Sequence, residues 1–355
     1  MSTLIDGMKY FRLFFCLLLI SLAISCGNDG FMRDAATKSV EPSDAVSLSA
    51  DTTFQAAFPE LLSPFHIYVV NDTLLVFQER VNESSASHLK AYSTETFEYL
   101  GASVRYGRGP GEVTNPHIAI LDSGEKYLQM SVNSIGEAYS LDFESSLLTG
   151  EPSVVRTFQL PSGVVDWLPL NDAGQFVLRI DQGKIVMQEL NPDSEIIHEY
   201  GFNDAVSNDR NMTFMSSYFA VNPSTYAVVQ IMQFFPQINI YDSGRVMSVA
   251  VDPAFRNWEA IINRMMGVDT MQYYAGAAVS TENIFALYKG VTLGELMTAN
   301  CDSSVHVFDW SGNFICDIKL DSDISCMTFD AKTGFLYCVE KSGSGIIRYD
   351  LSAIL

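Results

Sequence analysis

The residues that most invite a chemical reading stand in a row, "RYGRGPGE" at 105–112. Gly107, Gly109 and Gly111 surround Arg108 and Pro110, and Glu112 closes the run. A phosphate-binding loop needs a glycine-rich turn that ends in Lys, then Ser or Thr, and leads into a helix. Here Gly111 is followed by Glu112 and Val113, and the next segment, "NPHIAIL", reads as a strand. Pro110 also lacks the N–H that a phosphate cradle would use. A dinucleotide fingerprint fails for want of a strand–helix–strand context. The run is expected to be a turn, with Arg108 and Glu112 paired across it.

Other chemistries find little support. His66, His88, His117, His198 and His306 lie far apart, with neither HxH nor HExxH spacing. No metal or other cofactor is expected, and the first ligands to test would be His117 and Glu112. There is no G-x-S-x-G elbow. With 42 acidic residues in the chain, no carboxylate pair stands out, and no catalytic residue is nominated. Cysteine carries one usable signal. If Phe329 faces Phe335 across the hairpin "DISCMTF"–"GFLYCVE", Cys326 faces Cys338 at disulfide distance. The two are then a disulfide in an exported protein or a pair of buried thiols.

The elements that must position these residues are strands. Runs such as "HIYVV", "QFVLRI", "INIYD" and "VHVFDW" are rich in Val, Ile, Tyr and Phe, and Gly, Asn, Asp and Pro separate them. One strand type recurs, an aromatic or leucine followed by a polar residue and a turn. It is anchored at Tyr92, Leu141, Leu190, Tyr241, Phe308 and Tyr349, with spacings of 49, 49, 51, 67 and 41 residues. Six units of about 50 residues each read as the blades of an all-β, six-bladed propeller built of four-stranded antiparallel blades. The sixth unit has no room for an outer strand, so "TTFQAAFPELL" at 52–62 is expected to supply it and close the ring. The long interval holds "DPAFRNWEAIINRMMGVD" at 252–269, whose apolar spacing predicts one short inserted helix. That helix either packs on the propeller or acts as a lid over the channel.

Composition and the N-terminus bound the setting. Of the 355 residues 48% are hydrophobic, enough for a large core, and the formal net charge of −21 argues against a nucleic-acid partner. Lys9 and Arg12 precede the apolar run "LFFCLLLISLAIS", too short to span a bilayer and laid out as a secretory signal. It ends in "LAISC", a lipobox pattern that makes Cys26 the lipidated residue after removal of 1–25. Residues 26–51 are small and polar and read as a flexible tether, with the propeller filling 52–355.

The lipobox, the "GRGPGE" turn, "QYYAG" at 272–276 and "VFDWSGN" leading to "IIRYDL" together resemble the TolB-like six-bladed propeller lipoproteins. The resemblance covers nearly the whole chain after Cys26. It implies a propeller at the bacterial cell envelope, and it supplies no reaction and no catalytic residue.

In a propeller the innermost strands line a central channel. Their candidates here place His117, Trp167, Tyr218, Tyr273 and Tyr274 near strand ends, where they either form a binding rim or pack between blades. The expected function is a monomeric, non-enzymatic binding module for a protein, peptide or glycan, lipid-anchored in the outer membrane. The alternative is a hydrolase or lyase working in the channel.

Overall fold

In the computed structural model, the alternating runs become six consecutive sheets. It describes residues 31–354 apart from 43–44, 52–57, 82–85, 120–122, 133, 171–173, 205, 208, 253–257, 263–266 and 342–344. Blade one is Pro64–Val70, Leu74–Glu79, Ser87–Ser93 and Tyr99–Arg105. Blade two is His117–Ala119, Tyr127–Val132, Glu137–Asp142 and Val154–Gln159. Blade three is Val164–Pro169, Gln175–Asp181, Lys184–Leu190 and Ile196–Gly201. Blade four is Ser217–Val221, Val228–Met232, Gln237–Asp242 and Arg245–Ala250. Blade five is Met271–Val279, Asn283–Thr292, Ser304–Asp309 and Phe314–Leu320. Blade six is Ile324–Asp330, Phe335–Glu340 and Ile346–Asp350. Each blade is an antiparallel meander from the centre outward, so all six first strands run the same way along the central axis.

The repeat anchors hold this arrangement together. Tyr92, Leu141, Leu190, Tyr241, Phe308 and Tyr349 all lie in third strands, and each is at most 1% exposed. The core is a set of apolar clusters between neighbouring sheets, as face-to-face blade packing requires.

Residues read as a tether behave differently. Ala36–Ser39 adds in parallel to Arg245–Ala250 of blade four, and Ala45–Leu48 adds in parallel to Phe314–Leu320 of blade five. Before them, Met32 bridges Phe202 and the Arg33 N–H donates to the Gly201 carbonyl at 2.8 Å, at the end of blade three. After them, the Asp51 N–H donates to the Arg348 carbonyl at 2.9 Å on blade six, and their side chains form an ion pair at 2.7 Å. The segment is a strap along the outer rim, held by backbone pairing over Ala36–Ser39 and Ala45–Leu48 and seated at its start by Phe31 and Met32, which are buried in the core. The expected closing strand falls on 52–62. Of these, 52–57 lie outside the described residues, and 58–62 form turns that lead into blade one.

Among the described residues three short α-helices stand where one was expected. Trp258–Ile262 lies inside the anticipated stretch, and Trp258 packs near Phe31, Phe202 and Phe235 in the core beside blades three and four. Its residues line no part of the channel, which favours packing over a lid. Phe143–Thr149 is capped by the Asp142 carboxylate and ends at Gly150, and it covers the outer strand of blade one through Leu147 against Gly101. Leu293–Thr298 starts with a capping box between Thr292 and Glu295.

Candidate functional site

Because the first strands share one direction, residues near their starts meet at one mouth of the channel. The cavity there measures about 220 Å³ and draws its walls from all six blades. His66, His117, Asp166, Tyr218 and Cys326 each lie within the first three residues of their strands and face it. Among the described residues, four of the six first strands carry a β-bulge or similar register shift at this level. The breaks fall between Pro64 and His66, between Val164 and Asp166, between Ile324 and Cys326, and twice between Gln272 and Gly276. A bulge resets the alternation of faces and re-aims the following side chain.

Polar groups converge at the mouth. His117 Nδ1 stands 3.4 Å from Asp166 Oδ1, with the histidine the more exposed of the two. The Trp167 N–H donates to the same carboxylate at 2.8 Å. Burial raises the Asp166 pKa, and His117 and that N–H work against the rise. His66 is pushed down to about 4, chiefly by burial and further by His117 and Arg80, so it is neutral at pH 7. Deeper in, the Tyr68 hydroxyl donates to Gln78 Oε1 at 3.2 Å, and Gln78 Nε2 donates to the Pro116 carbonyl at 2.9 Å. This link ties blade one to the entry of blade two. Burial pushes Tyr218 up to about 12 and Cys326 up to about 12. The Cys326 thiol is therefore protonated at neutral pH and a poor nucleophile. The ring can donate and accept hydrogen bonds around a small bound group, and the His117–Asp166 couple can move a proton. Among the described residues no group of three or more His, Cys, Asp or Glu is placed to hold a metal ion.

Of the five nominated binding residues, the structure brings two to the channel, His117 and Tyr218. Trp167 points between blades two and three instead, where its ring sits 5.2 Å from Phe158 and its indole N–H donates to Gln175 at 2.9 Å. Tyr273 and Tyr274 are buried beside blade four, and the Tyr274 hydroxyl lies 3.3 Å from His306 Nδ1. Cys326 and Cys338 do not face each other. Cys326 opposes Val339 and Cys338 opposes Met327, so the two thiols lie on opposite faces of the sheet and both are free. The bulge after Ile324 shifts the register by the one residue that separates the faces.

The glycine run is a closed turn between blades one and two. The Val113 N–H donates to the Arg105 carbonyl at 2.8 Å, and the Glu112 carboxylate accepts from the Gly109 N–H at 2.7 Å. Arg105, rather than Arg108, forms the local ion pair, with Glu151 at 2.5 Å. A Cβ on Gly107 would fall 1.9 Å from Glu112 Oε2, so a side chain there would displace the Glu112 carboxylate. Glu112 and His117 serve separate structures, the turn and the channel mouth. The sequence reading missed His66, Tyr68 and Asp166. A signal for two of them existed, because His66, His117, Asp166 and Tyr218 follow one another at 51, 49 and 52 residues, the blade period itself.

Residues 38–332 match the family model described as TolB-like 6-blade propeller-like. The chain belongs to the TolB-like six-bladed propeller family. No curated protein matches it by sequence. Among solved structures, this TolB-like chain is similar to a member of the DUF4221 family from Bacteroides vulgatus, with a TM-score of 0.56 at 12% identity, covering 85% of this chain and 96% of that one. It is also similar to a candidate exported protein from Bacteroides fragilis, with a TM-score of 0.49 at 10% identity over 83% and 88% of the two chains. At these identities the likeness is one of fold.

Proposed function

We propose that this TolB-like propeller is a lipid-anchored, exported protein of the bacterial cell envelope that binds a protein, peptide or glycan without transforming it. The observation that carries this reading is the ring of His66, His117, Asp166 and Tyr218 over a cavity of about 220 Å³. That volume holds one side chain or one end group, so the channel mouth receives the tip of a larger ligand whose remainder rests on the rim. Cys26 in "LAISC" supports the anchor, and the outer membrane is its proposed location. Metabolic labelling with a tagged fatty acid checks this, since the label should be lost in Cys26→Ser.

The binding step is tested on arrays of envelope peptides and glycans with protein lacking 1–25. His117→Ala and Tyr218→Ala should each abolish the signal, and binding that survives both would refute the site. The His117–Asp166 couple, at 3.4 Å, favours a second reading as an acid–base pair of a hydrolase or lyase, for hydrolysis or elimination. Mass spectrometry of the recovered ligand separates the two, because a binding module returns it unchanged.

A further inference from the structure

The outer edges of the blades are not alike. The strap pairs with blades four and five along four residues each, and it touches the ends of blade three and blade six. The helix Phe143–Thr149 covers blade one. Blade two differs. Its outer strand, Val154–Gln159, ends the sheet and pairs only inward among the described residues. Val154 and Val155 are 48% and 52% exposed on it. Beside this strand a cavity of about 620 Å³ opens between blades one and two. Its walls are the glycine turn on one side and Met130, Val132, Ile135, Tyr139 and Val154 on the other. Ile135 at its rim is 60% exposed.

We propose that the outer strand of blade two is a docking edge for an extended acidic segment of another polypeptide, which pairs with Val154–Gln159 and seats an apolar side chain in the adjoining cavity. The strap shows what chemistry fits such an edge in this molecule, since single extended segments already occupy the same position on blades four and five. Main-chain pairing gives affinity in this mode, and a side-chain pocket gives selectivity. Charge sets the sign of the partner. Glu151 is engaged by Arg105, and the Glu112 carboxylate accepts from the Gly109 N–H. Arg108 on the turn and Arg156 on the strand have no ion-pair partner among the described residues, and Arg156 lies 5.1 Å over the Phe158 ring. An incoming carboxylate is matched there, within a chain whose net charge of −21 repels acidic segments elsewhere. A second copy pairing edge to edge would leave the cavity empty. The site is separate from the channel and does not depend on what the channel binds.

The probe is a phage-displayed library of linear peptides, with selected sequences resynthesised and titrated against protein lacking 1–25. Selected peptides should combine a large apolar residue with an acidic one and should slow amide exchange at 154–159. Val155→Asp and Ile135→Lys, both at exposed positions, should each weaken binding about tenfold or more. Met297→Lys, on an exposed helix of blade five, should leave it unchanged, and circular dichroism checks that each variant is folded. The proposal is overturned if no peptide is selected, if protection appears on the innermost strands instead, or if both edge variants bind normally. It is equally overturned if light scattering finds a dimer that Val155→Asp returns to monomer.

Discussion

Two stretches of the outer rim present the same architectural problem and solve it differently. On blades four and five the last strand is followed outward by a strap segment, and apolar residues behind it are sealed. Phe31, where the strap begins, is 1% exposed and lies 4.7 Å from the ring of Phe235. On blade two nothing described follows the last strand, and two valines face solvent. An uncovered edge invites pairing with other chains, and natural sheets generally blunt it. Leaving this edge open while strapping those of blades four and five separates a structural rim from an available one.

The largest test of this contrast removes the strap's anchor. Phe31→Ala should cost about 3–5 kcal/mol in urea unfolding, the range for emptying a buried aromatic site. A loss below about 1 kcal/mol would mean that the strap lies on the rim without supporting it. Acid provides the next test. His66 in blade one and His306 beneath the strapped edge of blade five are both held near 4 by burial, against 6.5 in the unfolded chain. The unfolded state therefore takes up protons first. The stability that these neutral histidines confer is complete above pH 6.5 and drains away as pH falls towards 4. Calorimetry at descending pH should show one transition moving down in temperature, and two separate transitions would show the strapped and open sides unfolding apart. His306→Gln should flatten the pH dependence.

A smaller effect concerns the turn beside the open edge. Gly111 has φ +75°, and a Cβ there would meet Glu151 Oε2 at 2.7 Å. Gly111→Val should cost about 1–3 kcal/mol and loosen the cavity wall, read by urea unfolding and by exchange at 107–113. The smallest change is expected at Val155→Lys, within about 0.5 kcal/mol in the same assay. A large loss there would show that the exposed valine supports the blade and is no spare surface.

Much of the fold was legible because the third strands carry it. A buried aromatic or leucine followed by a polar residue and a turn is a local pattern, and it recurs wherever a third strand must pack on both faces. The strap was illegible for the opposite reason. Its pairing is made by backbone, and Ala, Ser, Thr and Val exposed on an edge look like linker. The channel was partly legible. His117 and Tyr218 follow the simple alternation, whereas Asp166 and Trp167 exchange faces at a bulge that leaves no clear mark in "VVDWLPL". The same irregularity misled the reading of Tyr274 and of the cysteine register. One local device, placed in four blades, accounts for most of the residues assigned to the wrong side. The helix Leu293–Thr298 could have been found from its Thr292–Glu295 capping pair.

The strap also imposes an order of events in time. Ala36 pairs with Met247 and Ala45 with Asp317, partners that lie 211 and 272 positions further along the chain. Synthesis runs from the N-terminus, so the strap is made early and can be seated only after blades four and five exist. Contacts of such long separation form late and slowly. The strap thus acts as a completion check. A chain that stops after blade three offers it only the bridge to Phe202, and only a chain carried through to its last blades can fasten the rest.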